Sequence, residues 1–115
     1  MIEQISKNER VVVVCNHGAI RSRHTYNLML KSNYQNIDYG GISTLSLRGV
    51  ETEKLKKANV IISVHPYTTN LLKLKYSLES HQRFIELNVP DVNLNRGLRS
   101  VYGDLEKQIR DYLSE

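Results

Sequence analysis

Val11-Val12-Val13-Val14, four consecutive β-branched residues, run straight into the only cysteine of the chain, Cys15. An uninterrupted apolar run suits a strand buried on both faces, so this segment is expected in the middle of a sheet rather than at an amphipathic edge. Val60-Ile61-Ile62-Ser63-Val64 has the same character. Ile37–Gly41, leading into a glycine turn, and Arg83–Leu87 read as two further strands.

Between the strands the apolar spacing becomes helical. Tyr26, Leu28, Met29 and Leu30 give a helix from about Ser22 to Lys31, ended by Ser32-Asn33. Leu47, Val50, Leu55 and Ala58 suggest a second over Ser46 to Lys57, with Lys56 and Lys57 suited to its C-terminal dipole. Pro66 fits the first turn of a third helix, whose apolar stripe is Leu71, Leu72, Leu74 and Leu78. After a loop from Asn88 to Asn95, Val101, Leu105, Ile109 and Leu113 recur every four residues in a terminal helix. This alternation predicts an α/β fold: a three-layer arrangement of a small, about four-stranded parallel sheet with flanking helices, right-handed crossovers and Rossmann-like topology. Ligands bind such sheets beyond the carboxyl ends of the strands, so the loops after Val14, Gly41, Val64 and Leu87 are expected along one edge.

The 115 residues suffice for one domain, 1–115, which buries roughly two-thirds of its unfolded surface without staples. One cysteine excludes a disulfide framework and a thiolate-rich zinc site, and neither a metal nor a cofactor is expected. No apolar run approaches the ~20 residues of a membrane span, and Met1-Ile2-Glu3-Gln4 does not open like a signal peptide, so the expected compartment is the reducing cytoplasm. The formal charge is +4, and the whole excess lies in residues 1–57, which hold nine Lys or Arg against five acids. No aromatic-basic interleaving accompanies that excess, so nucleic acid is not the expected partner.

Chemistry concentrates in Cys15-Asn16-His17-Gly18-Ala19-Ile20-Arg21-Ser22, between the valine strand and the first helix. A strand-to-helix turn of this length can wrap its backbone N–H groups inward, forming an anion nest reinforced by the helix N-terminus. Gly18 permits the positive φ such a wrap demands. Arg21 can fold over the nest and bind two oxygens of a tetrahedral oxyanion in its planar fork. The same field favours a thiolate at Cys15, aimed at the centre of the anion. Nucleophile and cradle then share one loop.

The valine run ending in Cys15, followed by Arg21-Ser22, resembles the opening of the low-molecular-weight protein tyrosine phosphatases, whose signature loop lies at the N-terminus. Ala58–His65 and Phe84–Asp91 also resemble the compact bacterial branch of that superfamily known as predicted protein tyrosine phosphatases. The resemblance implies a phosphomonoester hydrolase working through a phosphocysteine, with a phosphorylated protein or small phosphomonoester as partner. It implies Cys15 as nucleophile, Arg21 and the amides from Asn16 to Ser22 as phosphate ligands, Ser22 as hydrogen-bond donor to the thiolate, and Asp91 as general acid. Asp91 after Pro90 also reads as an ordinary turn aspartate, and Asp104 as a charge in the first turn of the last helix.

The chain departs from the family pattern in several places. The loop carries His17-Gly18 where Gly-Asn is usual, and Arg23 where Pro follows Arg-Ser. His17 reads either as a solvent-facing residue or as a phosphate contact. Arg23 and His24 read either as a solvated helix start or as an attraction for anions. Asp91 precedes Val92-Asn93-Leu94-Asn95 rather than the aromatic residues that wall a phosphotyrosine ring, leaving Tyr39, Tyr67 and Tyr102 as replacements or as packing. His65 is either a partner of the site or a histidine satisfied by backbone. Two other functions remain open: a phosphate-binding module without turnover, and an arsenate reductase that borrows an external thiol.

Overall fold

The computed structural model describes residues 2–43, 46 and 48–114. Val11–Cys15 forms a strand, β1, buried at every position. The remaining elements are α1 (Arg21–Lys31), β2 (Ile37–Gly41), α2 (Thr52–Lys57), β3 (Val60–Ser63), α3 (Pro66–Lys75), β4 (Arg83–Glu86) and α4 (Leu98–Ile109), the last running into a 3-10 turn at Arg110–Tyr112. The four strands lie side by side in the order β2-β1-β3-β4, all parallel. The valine run is therefore central, as its composition requires.

Successive side chains of β1 point to opposite faces. Val11, Val13 and Cys15 join Met29 of α1 and Val101, Leu105 and Ile109 of α4 in one core. Val12 and Val14 join Leu55 of α2 and Leu72 and Tyr76 of α3 or its end in the other. Each fully buried aliphatic side chain here contributes roughly 1.5–3 kcal/mol, so neither face of β1 tolerates a polar residue. Tyr34, also fully buried, donates its hydroxyl hydrogen to Ile5 O and accepts from Ser114 N at 2.9 Å, joining the two ends of the chain.

The second helix begins at Thr52, not Ser46. Gly49 instead bridges Gly41 in parallel, and Val50 N donates to Gly41 O at 3.0 Å, so this stretch is extended along the sheet edge. Leu47, expected on that helix, lies outside the described residues. Leu74 is not in the apolar stripe of α3: it is 82% exposed, and Tyr76 is buried in its stead. Leu113 follows the 3-10 turn and bridges Ile5 rather than extending α4. Asp104 sits in the middle of α4, not its first turn. Among the described residues no helix is long and apolar enough to cross a membrane.

Candidate active site

All the loops at the carboxyl ends of the strands meet at the segment after β1. The amide of Ser43, just past β2, donates to Asn16 O at 2.9 Å. From the first turn of α3, Thr68 Oγ1 donates to Asn16 Oδ1 at 2.5 Å. From beyond β4, Val89 O accepts from Arg21 Nη1 at 2.9 Å. Parallel strands leave no alternative: their C-terminal ends share one edge, and the chain must turn there.

Gly18 adopts φ of 69°, which an L side chain rarely accepts. A Cβ on it would also stand 2.7 Å from Gly41 N, so the loop lies against bare backbone at the end of β2. Gly41 serves the same approach from the other side, where a Cβ would meet the Gly18 amide nitrogen at 2.6 Å. The glycine pair in β2 is therefore strand, Gly41 making room for the loop and Gly40 for Val50, which a Cβ would meet at 2.7 Å.

That wrap turns the Gly18 amide onto Cys15, N–H to Sγ, at 3.0 Å. Ser22 Oγ reaches the same sulfur at 3.0 Å, and both Cys15 and Ser22 are buried. Among the described residues the amides of His17, Ala19 and Ile20 have no acceptor. The first turn of α1 has neither a side-chain cap nor an acidic residue. Unpaired amides and an uncapped helix start together favour an anion.

Arg21 is only 4% exposed. With Nη1 on Val89 O, its Nη2 stands 3.5 Å from Asp91 Oδ2, and the other Asp91 oxygen accepts from Val92 N at 2.7 Å. Cys15, Gly18 and Ser22 thus form one set of contacts, and Arg21, Val89 and the sequence-distant Asp91 form another, the two adjoining at the Arg21–Ser22 peptide. Asp104, by contrast, is engaged by Arg96 at 2.8 Å and by Gln108 at 2.9 Å.

The histidines divide. His65 caps α3, its Nδ1 accepting from Tyr67 N at 3.1 Å, which is the backbone partner that satisfies it. His24 stacks on Tyr102 at 3.9 Å between ring centres and reaches Glu106 at 3.3 Å, so both residues pack α1 against α4. Tyr39 lies against Tyr26 and beneath the Arg48 guanidinium. Tyr67, adjacent to Thr68, is 58% exposed, the exposed one of the three candidate tyrosines.

Sequence reasoning missed Thr68 and Arg96. Their signals are faint: a threonine on the expected ligand edge, and an arginine in a polar loop whose partners are one carbonyl oxygen and two side chains of α4.

No protein-family profile matches the chain, and no curated protein does. Solved structures are similar to it. Tyrosine phosphatase Wzb of Escherichia coli K30, in complex with phosphate, has a TM-score of 0.72 at 14% identity, over 91% of this chain and 96% of that one. Tyrosine phosphatase AmsI of Erwinia amylovora has a TM-score of 0.71 at 14% identity, over 94% and 95%. The thioredoxin-dependent arsenate reductase of Corynebacterium glutamicum has a TM-score of 0.68 at 10% identity, over 90% of this chain and 59% of that one. The fold is that of the low-molecular-weight tyrosine phosphatases.

Proposed function

We propose that the protein is a cysteine-dependent phosphomonoester hydrolase acting on phosphotyrosine. One observation carries the reading: the Cys15 sulfur receives the Gly18 amide and faces the Ser22 hydroxyl, at 3.0 Å each, inside a loop in which the amides of His17, Ala19 and Ile20 have no acceptor among the described residues. The Gly18 amide and the Ser22 hydroxyl hold the buried sulfur inside the loop, and the unpaired amides of that loop favour a bound anion within its reach. The similarity to tyrosine phosphatases, one of them holding phosphate, supports the same chemistry.

In the first step the Cys15 thiolate forms a bond to phosphorus as the ester P–O bond breaks. Arg21 and the loop amides hold the three equatorial oxygens, where transition-state charge spreads. Asp91, protonated, gives its proton to the departing oxygen. In the second step Asp91, now a carboxylate, takes a proton from water, which attacks phosphorus and releases orthophosphate and the thiolate. No atom or proton is left over, and neither step calls for a metal. Tyr67 replaces the aromatic wall that is missing after Asp91.

The test is phosphate release from an aryl phosphate by the wild-type protein, with a denaturing quench during turnover and mass analysis of the cysteine peptide. A phosphoryl group on Cys15 is expected. Binding of orthophosphate or vanadate with no release from any aryl ester overturns the enzyme reading in favour of a binding module.

A second reading has its own support in the similarity to the arsenate reductase described as thioredoxin-dependent. With Cys15 as the only thiol, reduction of arsenate would need the external dithiol at every turnover. Arsenate-dependent oxidation of thioredoxin, measured beside phosphate release, separates the two.

A further inference from the structure

Arg96 holds the residue that precedes Asp91. Its guanidinium, largely buried against the start of α4, makes three contacts: Nε donates to Pro90 O at 3.1 Å, Nη1 to Ser100 Oγ at 3.2 Å, and Nη2 to Asp104 Oδ2 at 2.8 Å. Asp104 is itself held by Gln108 Nε2 at 2.9 Å, and Gln108 also exchanges hydrogen bonds with the backbone of Asn88. Asn93 and Arg96 pair across a tight turn, with N–H to O distances of 2.9 and 3.2 Å. The loop carrying Asp91 is therefore fastened to α4 on both sides of the aspartate.

The contact with Pro90 O matters most. The Pro90 carbonyl and the Asp91 amide and Cα belong to one planar peptide unit, so a donor on that oxygen restrains the plane from which the Asp91 side chain projects. The preceding carbonyl, Val89 O, is fixed by Arg21. Two arginines thus hold two successive peptide planes ahead of Asp91, one from the phosphate loop and one from the α4 side. Asp91 is half-exposed, and among the described residues the polar partners of its side chain are Arg21 and the Val92 amide. Its position is imposed through the backbone.

We propose that Arg96 is a positioning residue for general-acid catalysis: by pinning the Pro90–Asp91 peptide to Asp104, it sets the Asp91 carboxyl where the leaving oxygen departs. The proposal rests on the phosphatase reading and on Asp91 as its acid. The side-chain partners of Arg96 among the described residues are Pro90, Ser100 and Asp104, none of them in the loop after β1, so its loss should act on proton delivery and not on phosphate binding.

The experiment compares wild type, Arg96→Ala, Arg96→Lys and Asp104→Asn on two esters, an aryl phosphate with a good leaving group and an alkyl phosphate with a poor one. General acids contribute about 10²–10⁴-fold; a misplaced one should cost Arg96→Ala at least ~10-fold in kcat on the alkyl ester and less than ~2-fold on the aryl ester. KM should stay unchanged on both. Added guanidinium ion should restore part of the alkyl rate in Arg96→Ala. Asp104→Asn, which keeps the contact to Pro90 but loosens its anchor, should fall between. Equal losses on both esters, or none, overturn the proposal. If Arg96→Ala fails to fold, Arg96→Lys keeps the charge but not the fork and must show the same split. If wild type releases phosphate from neither ester, the phosphatase reading itself has failed. Amide exchange at Val92 and Asn93 still tests the clamp in that case: no acceleration in Arg96→Lys refutes it.

Discussion

The carboxylate of Asp91 stands 3.5 Å from the guanidinium of Arg21, one half-exposed and the other 4% exposed, at the junction of the loop after β1 and the loop after β4. Arg21 holds that second loop through Val89 O with one nitrogen and faces the carboxylate with another. A lysine at this position offers one compact charge and cannot do both while gripping an oxyanion. Arg21→Lys is expected to keep the fold by circular dichroism and to lower kcat/KM on an aryl phosphate by about 10²–10³-fold, the usual cost of losing an oxyanion donor. A change under ~3-fold would mean that the fork does not bear transition-state charge.

Gly18→Ala tests the loop geometry separately from its side chains. The variant would place a Cβ at φ of 69° and 2.7 Å from Gly41 N, a backbone atom with no freedom to yield. Strain of this kind costs on the order of 1–3 kcal/mol. The expected result is a lowered Tm with weakened orthophosphate binding, both measurable by thermal shift with and without phosphate. An unchanged Tm would show that the loop does not need its left-handed turn.

Asp38, on β2, braces the segment that lies against the loop: Arg48 Nη2 donates to it at 2.9 Å, and Gly41 N donates to Arg48 O at 2.7 Å. Burial tends to raise the Asp38 carboxyl, but the Arg48 side chain, the Tyr39 amide, and the charges of Arg48 and Lys54 outweigh it and hold it below the usual carboxylate value. A depressed folded value gives stabilisation that is complete above the unfolded value of about 3.9 and lost as pH falls through the folded one. Both cations are half-exposed, so solvent screens the pair. Asp38→Asn should therefore lower stability at neutral pH by about 0.5–1 kcal/mol, with wild type and variant converging in acid. Urea unfolding across pH checks this, and a gap that persists at the acid end contradicts it.

Much of the site was legible because its signals are local. The valine run, the spacing from Cys15 to Arg21 and the glycine between them all lie within one strand-loop-helix unit, where sequence neighbours are spatial neighbours. Asp91 was legible as a position but not as a contact, since its approach to Arg21 depends on β1, β3 and β4 ending at one edge. The start of α2 was misread because Leu47 and Val50 share helical spacing, whereas Val50 is held extended by Gly41 across the sheet edge. Leu74 followed the period of α3 but faces outward, 82% exposed. Arg96 had no pattern to reveal it: its partners are a carbonyl oxygen and side chains of α4, brought near only by folding.

The central claim is that the Cys15 sulfur performs the displacement, and steady-state hydrolysis of an aryl phosphate by wild type and Cys15→Ser tests it most directly. Serine keeps the size and a hydrogen-bonding group beside Gly18 and Ser22 but offers no thiolate, so the cradle should persist while turnover stops. The predicted result is phosphate release by wild type and none detectable above the uncatalysed rate in Cys15→Ser, with orthophosphate still bound by the variant. Turnover by Cys15→Ser at a rate comparable to wild type would contradict the account.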